Sequence, residues 1–283
     1  MHFTSNDGVR ASSRGWARRE RPDGVRLRYE TAGPDDATAV AFVEGLGYGT
    51  WMWGWQRPAL AESYRTVVWD NRGTGESDEP EGPYTTEEMA GDMAAVLDDA
   101  GVDRAHLVGA SLGGMIALQY ALDYDGAASL SLLCTSAGGD EAVPMPDDAR
   151  ARVFDVPRGL DRVESIRYRM RPAFTDDFWD ANPEVIDRIV DRRLETDPSD
   201  RAYEWQAAAA TSFDATDRLD EVDVPALVLH GTDDRVVPVE NGRLLADGLP
   251  DARLETVAGG SHLFFVERNE LVNERLLSFL DDV

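Results

Sequence analysis

The stretch Ala105-His106-Leu107-Val108-Gly109-Ala110-Ser111-Leu112-Gly113-Gly114 decides the fold. Its first four residues form an apolar run, as expected of a strand covered on both faces. Leu112 to Leu122 reads as a helix. Between them Gly109-Ala110-Ser111-Leu112-Gly113 fits G-x-S-x-G, a strand-to-helix turn whose small flanking residues allow a sharp bend. Such a bend lifts the serine hydroxyl clear of the sheet, and the helix N-terminus favours negative charge developing beside it. The pentapeptide alone could be an ordinary glycine-rich turn; the strand before it and the helix after it argue against that. Gly113-Gly114 has a structural reading, close helix packing.

A serine needs a base to act as a nucleophile near neutral pH. The chain has four histidines. His2 lies near the terminus, His106 opens a buried strand, and His230 ends a strand before Gly231. His262 sits in the loop Ala258-Gly259-Gly260-Ser261-His262, whose glycines let it project an imidazole toward Ser111. His262 is therefore the predicted base. A carboxylate should orient it, in the chain order Ser…Asp…His. In His230-Gly231-Thr232-Asp233-Asp234-Arg235-Val236-Val237-Pro238, Asp233 and Asp234 compete for that role.

Working outward, 26–31 alternates like an exposed strand after the turn Pro22-Asp23-Gly24, and 39–43 and 66–69 are apolar strands. The segment 85–100 reads as a helix with Thr86 as N-cap and apolar positions Met89, Met93, Val96 and Leu97. A further strand is predicted at 130–134. Strand and helix alternate, which predicts a mostly parallel sheet wrapped by helices. From Ser136 to about Asp220 no strand is evident. Within that segment, 183–195 carries one apolar helix face through Val185, Ile186, Ile189, Val190 and Leu194. Alternation resumes with strand 226–229, helix 239–247, strand 253–257 and a closing helix from Leu263. The reading is an α/β core over 1–136 and 221–283, interrupted by a helical insertion over 137–220. No internal repeat or low-complexity tract is evident.

These motifs together resemble the α/β-hydrolase superfamily from about Gly24 to Leu280. The acid loop is similar to the family's G-x-x-D-x-x-V-P, whose acid matches Asp234. Asp70-Asn71-Arg72-Gly73-Thr74-Gly75-Glu76-Ser77 looks like its structural D-x-R-G-x-G-x-S turn. The resemblance implies a helical cap inserted after the sixth strand, and an oxyanion hole from the N–H groups of Leu46 and Leu112. It departs from the pattern at Glu44-Gly45-Leu46-Gly47, where the family usually carries His-Gly-x-Gly. The carboxyl of Glu44 could disfavour an oxyanion nearby, or face away from it. The aromatic run Trp51-Met52-Trp53-Gly54-Trp55 offers Trp51 and Trp53 as substrate contacts or as packing for the next helix. Phe178, Trp179 and Trp205 could complete the pocket or pack within the insertion.

Composition narrows the function. Fifty-four acids face twenty-eight bases, a net charge of −26, and every base is arginine. That self-repulsion weakens a compact state in dilute salt; at 1 M salt the Debye length falls to about 3 Å and screens most of it. Such acid-rich, lysine-free surfaces resemble those of salt-in halophiles. Nucleic acid is not an expected partner, since phosphate binding needs clustered positive charge. No apolar run approaches the roughly 20 residues that cross a bilayer, and the Arg-bearing N-terminus lacks an export-signal core. A cytoplasmic protein is expected. Cys134 is the single cysteine, read as a core thiol. No Cys/His metal spacing and no phosphate loop call for a metal or cofactor.

The activity implied is hydrolysis of a small ester or lactone through an acyl-enzyme, with Ser111, His262 and Asp234 as triad. Gly82-Pro83-Tyr84-Thr85 and the Ser111 elbow look like the 3-oxoadipate enol-lactonase type. The alternatives are C–C bond hydrolysis or perhydrolase chemistry on the same triad, or a non-catalytic ligand-binding protein. Haloalkane dehalogenase and epoxide hydrolase chemistry is disfavoured, because those relatives use an aspartate where this chain has Ser111.

Overall fold

The computed structural model describes the backbone of residues 13–18 and all of residues 24–283. His2, the polar stretch 1–12 and Pro22-Asp23 of the expected turn lie outside the described residues. The strands β1 (Ser13–Arg18), β2 (Arg26–Ala32), β3 (Ala39–Val43), β4 (Arg65–Trp69), β5 (Ala105–Ala110), β6 (Ala127–Leu133), β7 (Ala226–Gly231) and β8 (Ala252–Val257) form one sheet. Their order is β1-β2-β4-β3-β5-β6-β7-β8. The β1–β2 and β2–β4 pairs are antiparallel and every other pair is parallel. The helices are α1 (Arg57–Leu60), α2 (Thr86–Asp99), α3 (Leu112–Asp123), α4 (Asp147–Phe154), α5 (Arg162–Met170), α6 (Asp176–Ala181), α7 (Pro183–Thr196), α8 (Asp200–Ser212), α9 (Val239–Gly248), α10 (Phe264–Glu267) and α11 (Asn269–Asp282).

Helices cover both faces, so the central strands are mostly apolar, and every residue of β3 and β5 is buried. Ala39, Ala41 and Val43 face the layer containing α2, α3 and α9, whereas Val40 and Phe42 face Trp53, Phe264 and Phe265. The topology also selects the site. The chain leaves β3 toward β4 on one side and β5 toward β6 on the other, so the carboxyl ends of β3 and β5 flank a crevice. In open α/β sheets, ligands bind at such a switch point. Val43 pairs with Gly109 in register, which places Glu44-Gly45-Leu46 beside Ser111.

Several local expectations need correction. Strand β1 was not anticipated; because it pairs outside β2, the successive residues Leu27, Arg28 and Tyr29 are all buried, and the expected exposed alternation fails. Arg28 is accommodated by ion pairs with Glu30 and Glu76. The N-cap of α2 is Thr85, not Thr86: Thr85 Oγ1 accepts the Glu88 N–H and the Glu88 carboxylate accepts the Thr85 N–H. Strand β6 stops at Leu133, and Cys134 turns the chain with φ +43°. The closing helix breaks at Arg268 into α10 and α11. Helices α4 to α8 all lie between β6 and β7, where no strand was expected. No helix among the described residues is long and apolar enough to cross a membrane.

Candidate active site

Ser111 stands at the β5–α3 junction with φ +54° and ψ −122°. A non-glycine residue there stores strain of order 1–3 kcal/mol, held only where the surroundings over-determine it. They do so here. The Ser111 N–H donates to Leu133 O at 2.9 Å, and Thr135 Oγ1 donates to Ser111 O at 2.7 Å. The glycines are steric necessities: a Cβ on Gly109 would lie 2.3 Å from Gly113 O, and one on Gly113 would lie 2.1 Å from Val43 O.

The structure brings His262 into the same cavity as Ser111. Its loop is laced to the acid loop and to the inserted helices. The Asp233 N–H donates to Gly260 O at 2.9 Å, Gly259 N–H to Thr232 Oγ1 at 2.8 Å, and Ser261 Oγ to Ala173 O at 2.8 Å. Of the two competing aspartates, Asp234 reaches the imidazole: His262 Nδ1 lies 2.8 Å from Asp234 Oδ2. Asp233 is exposed and accepts from Thr232 Oγ1. The other carboxylate oxygen of Asp234 accepts the N–H groups of Val236 and Val237 at 2.8 and 2.9 Å.

Burial of Asp234 works against its charge, but the His262 ring with its hydrogen bond, and the nearby His230 ring, prevail and hold its carboxyl at about 2. A carboxylate can only accept, so His262 Nδ1 carries a hydrogen, and in the neutral ring that tautomer leaves the lone pair on Nε2. His230 Nε2 donates to Val237 O at 2.8 Å and lies 3.4 Å from Asp234, bracing the acid loop. His106 bonds Ser129 within the sheet at 2.8 Å, a structural partner.

Leu46 and Leu112 both line the cavity beside Ser111. The Leu46 N–H has no acceptor among the described residues, and Leu112 begins α3, where an N–H lacks an intrahelical partner. Two free donors thus stand next to the serine. Leu46 belongs to a loop anchored by the Asp70 turn: Asp70 Oδ1 accepts the Thr50 N–H at 3.0 Å, and Asn71 Nδ2 donates to Glu44 O at 3.2 Å.

Sequence reasoning missed Gln206. It is fully buried on α8, accepts the Gly47 N–H at 2.9 Å, and donates to Arg72 O and Thr74 Oγ1, both at 2.8 Å. One amide therefore ties an inserted helix to the loop after β3 and to the Asp70 turn. A polar residue on the α8 face that also buries Ala202 and Ala209 was the available signal.

The cavity encloses about 500 Å³ and is walled mainly by apolar residues, including Met115, Met145, Phe154, Met170 and Phe213. Neither Trp51 nor Trp53 is part of its wall. Trp53 is fully buried between Phe42 and Phe265, at ring separations of 5.1 and 5.4 Å, and Trp51 Nε1 donates to Thr196 at 2.9 Å. Tyr48 and Met52 from the neighbouring positions line the cavity instead. Phe178, Trp179 and Trp205 are likewise packing residues.

Cys134, Asp234 and His262 have potential ligand atoms within 4.8 Å of one another. The carboxylate and imidazole are engaged with each other, and burial together with the Asp234 charge pushes the Cys134 thiol well up, so it keeps its proton. The trio makes a poor metal site.

The profile of the alpha/beta hydrolase family matches residues 40–275. A putative carbamate hydrolase, RutD, of Azorhizobium caulinodans is 32% identical over 260 residues, covering 91% of this chain and 96% of the relative. A hydrolase from Pseudomonas aeruginosa superposes with a TM-score of 0.82 at 28% identity, covering 98% of this chain and 99% of the other. The enol-lactonase of Burkholderia xenovorans gives 0.78 at 28% identity, covering 92% and 98%. With its mostly parallel sheet, its strained serine elbow and these relatives, the chain belongs to the alpha/beta hydrolase family and is a hydrolase on that fold.

Proposed function

We propose that the protein hydrolyses a small carboxylic ester or lactone through an acyl-enzyme formed on Ser111. The observation that carries this reading is the shared cavity of Ser111 and His262, with Nδ1 of His262 committed to Asp234. Ser111 Oγ attacks the carbonyl carbon as His262 Nε2 takes its proton. The N–H groups of Leu46 and Leu112 receive the oxyanion, a contribution usually worth 10²–10³-fold per donor. His262 returns the proton to the departing alcohol, then takes one from the water that attacks the acyl carbon, and passes it to Ser111 Oγ as the acyl–Oγ bond breaks and the acid leaves. Asp234 fixes the tautomer and offsets the imidazolium charge. The helices between β6 and β7 act as the cap over this chemistry.

Carbamates are the competing carbonyl class, favoured by the name of the RutD relatives. Rapid mixing with p-nitrophenyl esters tests the proposal. A burst of p-nitrophenol stoichiometric with enzyme, absent from Ser111→Ala, is expected. Faster turnover of carbamates or vinylogous diketones than of esters and lactones would move the assignment to those bonds. Folded protein without any burst or turnover would return it to a binding role.

A further inference from the structure

His262 is flanked by two residues that donate to the same acceptor. Ser261 Oγ donates to Ala173 O at 2.8 Å, and the Leu263 N–H donates to that oxygen at 2.9 Å. Ala173 closes the 3-10 turn Arg171–Ala173 between α5 and α6, and it also lines the cavity of Ser111. Two residues on, Thr175 is held from the histidine side. Its N–H donates to Glu267 Oε1 at 2.7 Å, and its Oγ1 donates to the same oxygen at 3.0 Å. The Thr175 hydroxyl also accepts the Phe178 N–H at 3.2 Å, so it caps α6 while its single hydrogen serves Glu267. The other Glu267 oxygen faces the Ser261 N–H at 3.4 Å.

Ala173, Ser261, Leu263 and Glu267 are all buried, and hydrogen bonds in such surroundings are stronger, and costlier to leave unmade, than in water. The His262 loop needs ties from outside itself, because Gly259 has φ +67° and glycine leaves a backbone permissive. On the sheet side the tie is both steric and polar: a Cβ on Gly231 would lie 2.2 Å from Gly260 O, and the Asp233 N–H donates to that oxygen. On the far side the ties are Ala173 O and Glu267. None of Thr175, Ser261 and Glu267 lines the cavity, so losing any of them should leave the substrate's contacts in place.

We propose that Glu267 and Ser261 are positioning residues that key the His262 loop to the inserted helices, so that the imidazole takes its working orientation only while the α5–α6 junction is docked. For turnover this rests on His262 acting as the base of Ser111; the clamp on the imidazole does not itself require catalysis. Asp234 sets the tautomer of the ring, and Ala173 O with Glu267 sets where the backbone that carries the ring stands. A small displacement of a base costs rate far more than substrate affinity.

Acylation is followed by single-turnover mixing with p-nitrophenyl butyrate in molar KCl, and the His262 Nδ1 proton by its low-field proton magnetic resonance, assigned by its loss in Asp234→Asn. Glu267→Ala should slow acylation by about 10- to 100-fold, the upper end matching a misplacement of about 1 Å, with the substrate dissociation constant held within about twofold. Glu267→Gln should recover most of the rate, because its Oε1 can still accept both Thr175 bonds. Ser261→Ala leaves Ala173 O bonded to the Leu263 N–H, so it keeps the test open if Glu267→Ala does not fold. It should slow acylation by about 3- to 10-fold, the span of one neutral hydrogen bond. In each slowed variant the Nδ1 resonance should shift or broaden at a temperature where circular dichroism shows the protein folded. A resonance altered by Glu267→Ala in a protein that turns over no ester supports the clamp and refutes only the hydrolase reading. Folded Glu267→Ala and Ser261→Ala with wild-type acylation and an unmoved resonance, or a rate lost entirely through substrate affinity, would overturn the inference.

Discussion

Glu44 stands at the end of β3 with no exposed surface, and neither carboxyl oxygen has a hydrogen-bond partner. Burial, and then the charge of Asp70, push its carboxyl well above the ordinary glutamate range, which favours the neutral form in the folded protein. The sign of the linkage follows. A carboxyl raised on folding contributes its stability fully below the unfolded value of about 4.3 and loses it as pH climbs toward the native value. The loss is about 1.4 kcal/mol per pH unit within that window. Glu44→Gln keeps the shape and removes the proton, so its stability relative to wild type should rise with pH. For a chain of this size, unfolding entropy near 2.1 cal/mol/K per residue converts that slope to roughly 2–3 °C in Tm per pH unit. Differential scanning calorimetry of both proteins at pH 5.5, 6.5 and 7.5 in 2 M KCl reads it directly. A Tm gap that stays constant with pH, or a variant destabilised equally throughout, would refute the neutral-carboxyl argument.

Asp234→Asn should lower kcat by about four orders of magnitude, since the amide cannot hold the imidazole tautomer. Asp233→Asn should remain within about twofold, as read by p-nitrophenyl ester turnover; the reverse pattern would exchange the two roles. Gln206→Ala leaves the Gly47 N–H and two buried acceptors unmade, so it should cost about 1–3 kcal/mol in denaturant unfolding and lower kcat more than it raises KM. A variant that is destabilised yet keeps the kcat and KM of wild type would mean that Gln206 supports the fold and not the loop. The charge of −26 predicts that Tm rises steeply between 0.1 and 2 M KCl; a flat dependence would count against a salt-adapted surface.

The sequence carried the architecture because the alternation of apolar runs with helical periods is a local signal. β3, β5 and β7 announce themselves through continuous burial on both faces, and α2 and α7 through their apolar spacing. The serine elbow was legible for a steric reason: Gly109 and Gly113 leave no room for a Cβ. β1 was illegible because SRGWAR has no alternation of its own and is defined by pairing with β2. The pocket was illegible for a related reason. Whether Trp53 or Met52 faces substrate depends on a 3-10 turn of four residues and on where Phe265, 212 positions later, delivers its ring. Gln206 likewise acquires its significance from contacts with distant segments.

The central claim is that Ser111 is a nucleophile activated by the His262–Asp234 pair, and a fluorophosphonate tests it most directly. Folded protein in molar KCl is incubated with the reagent, and the adduct is located by intact-mass and peptide mass spectrometry. The account predicts one adduct per chain, on Ser111, abolished by Ser111→Ala and strongly slowed by Asp234→Asn. Folded protein that stays unlabelled, or labelled on another residue with Ser111 free, would contradict it.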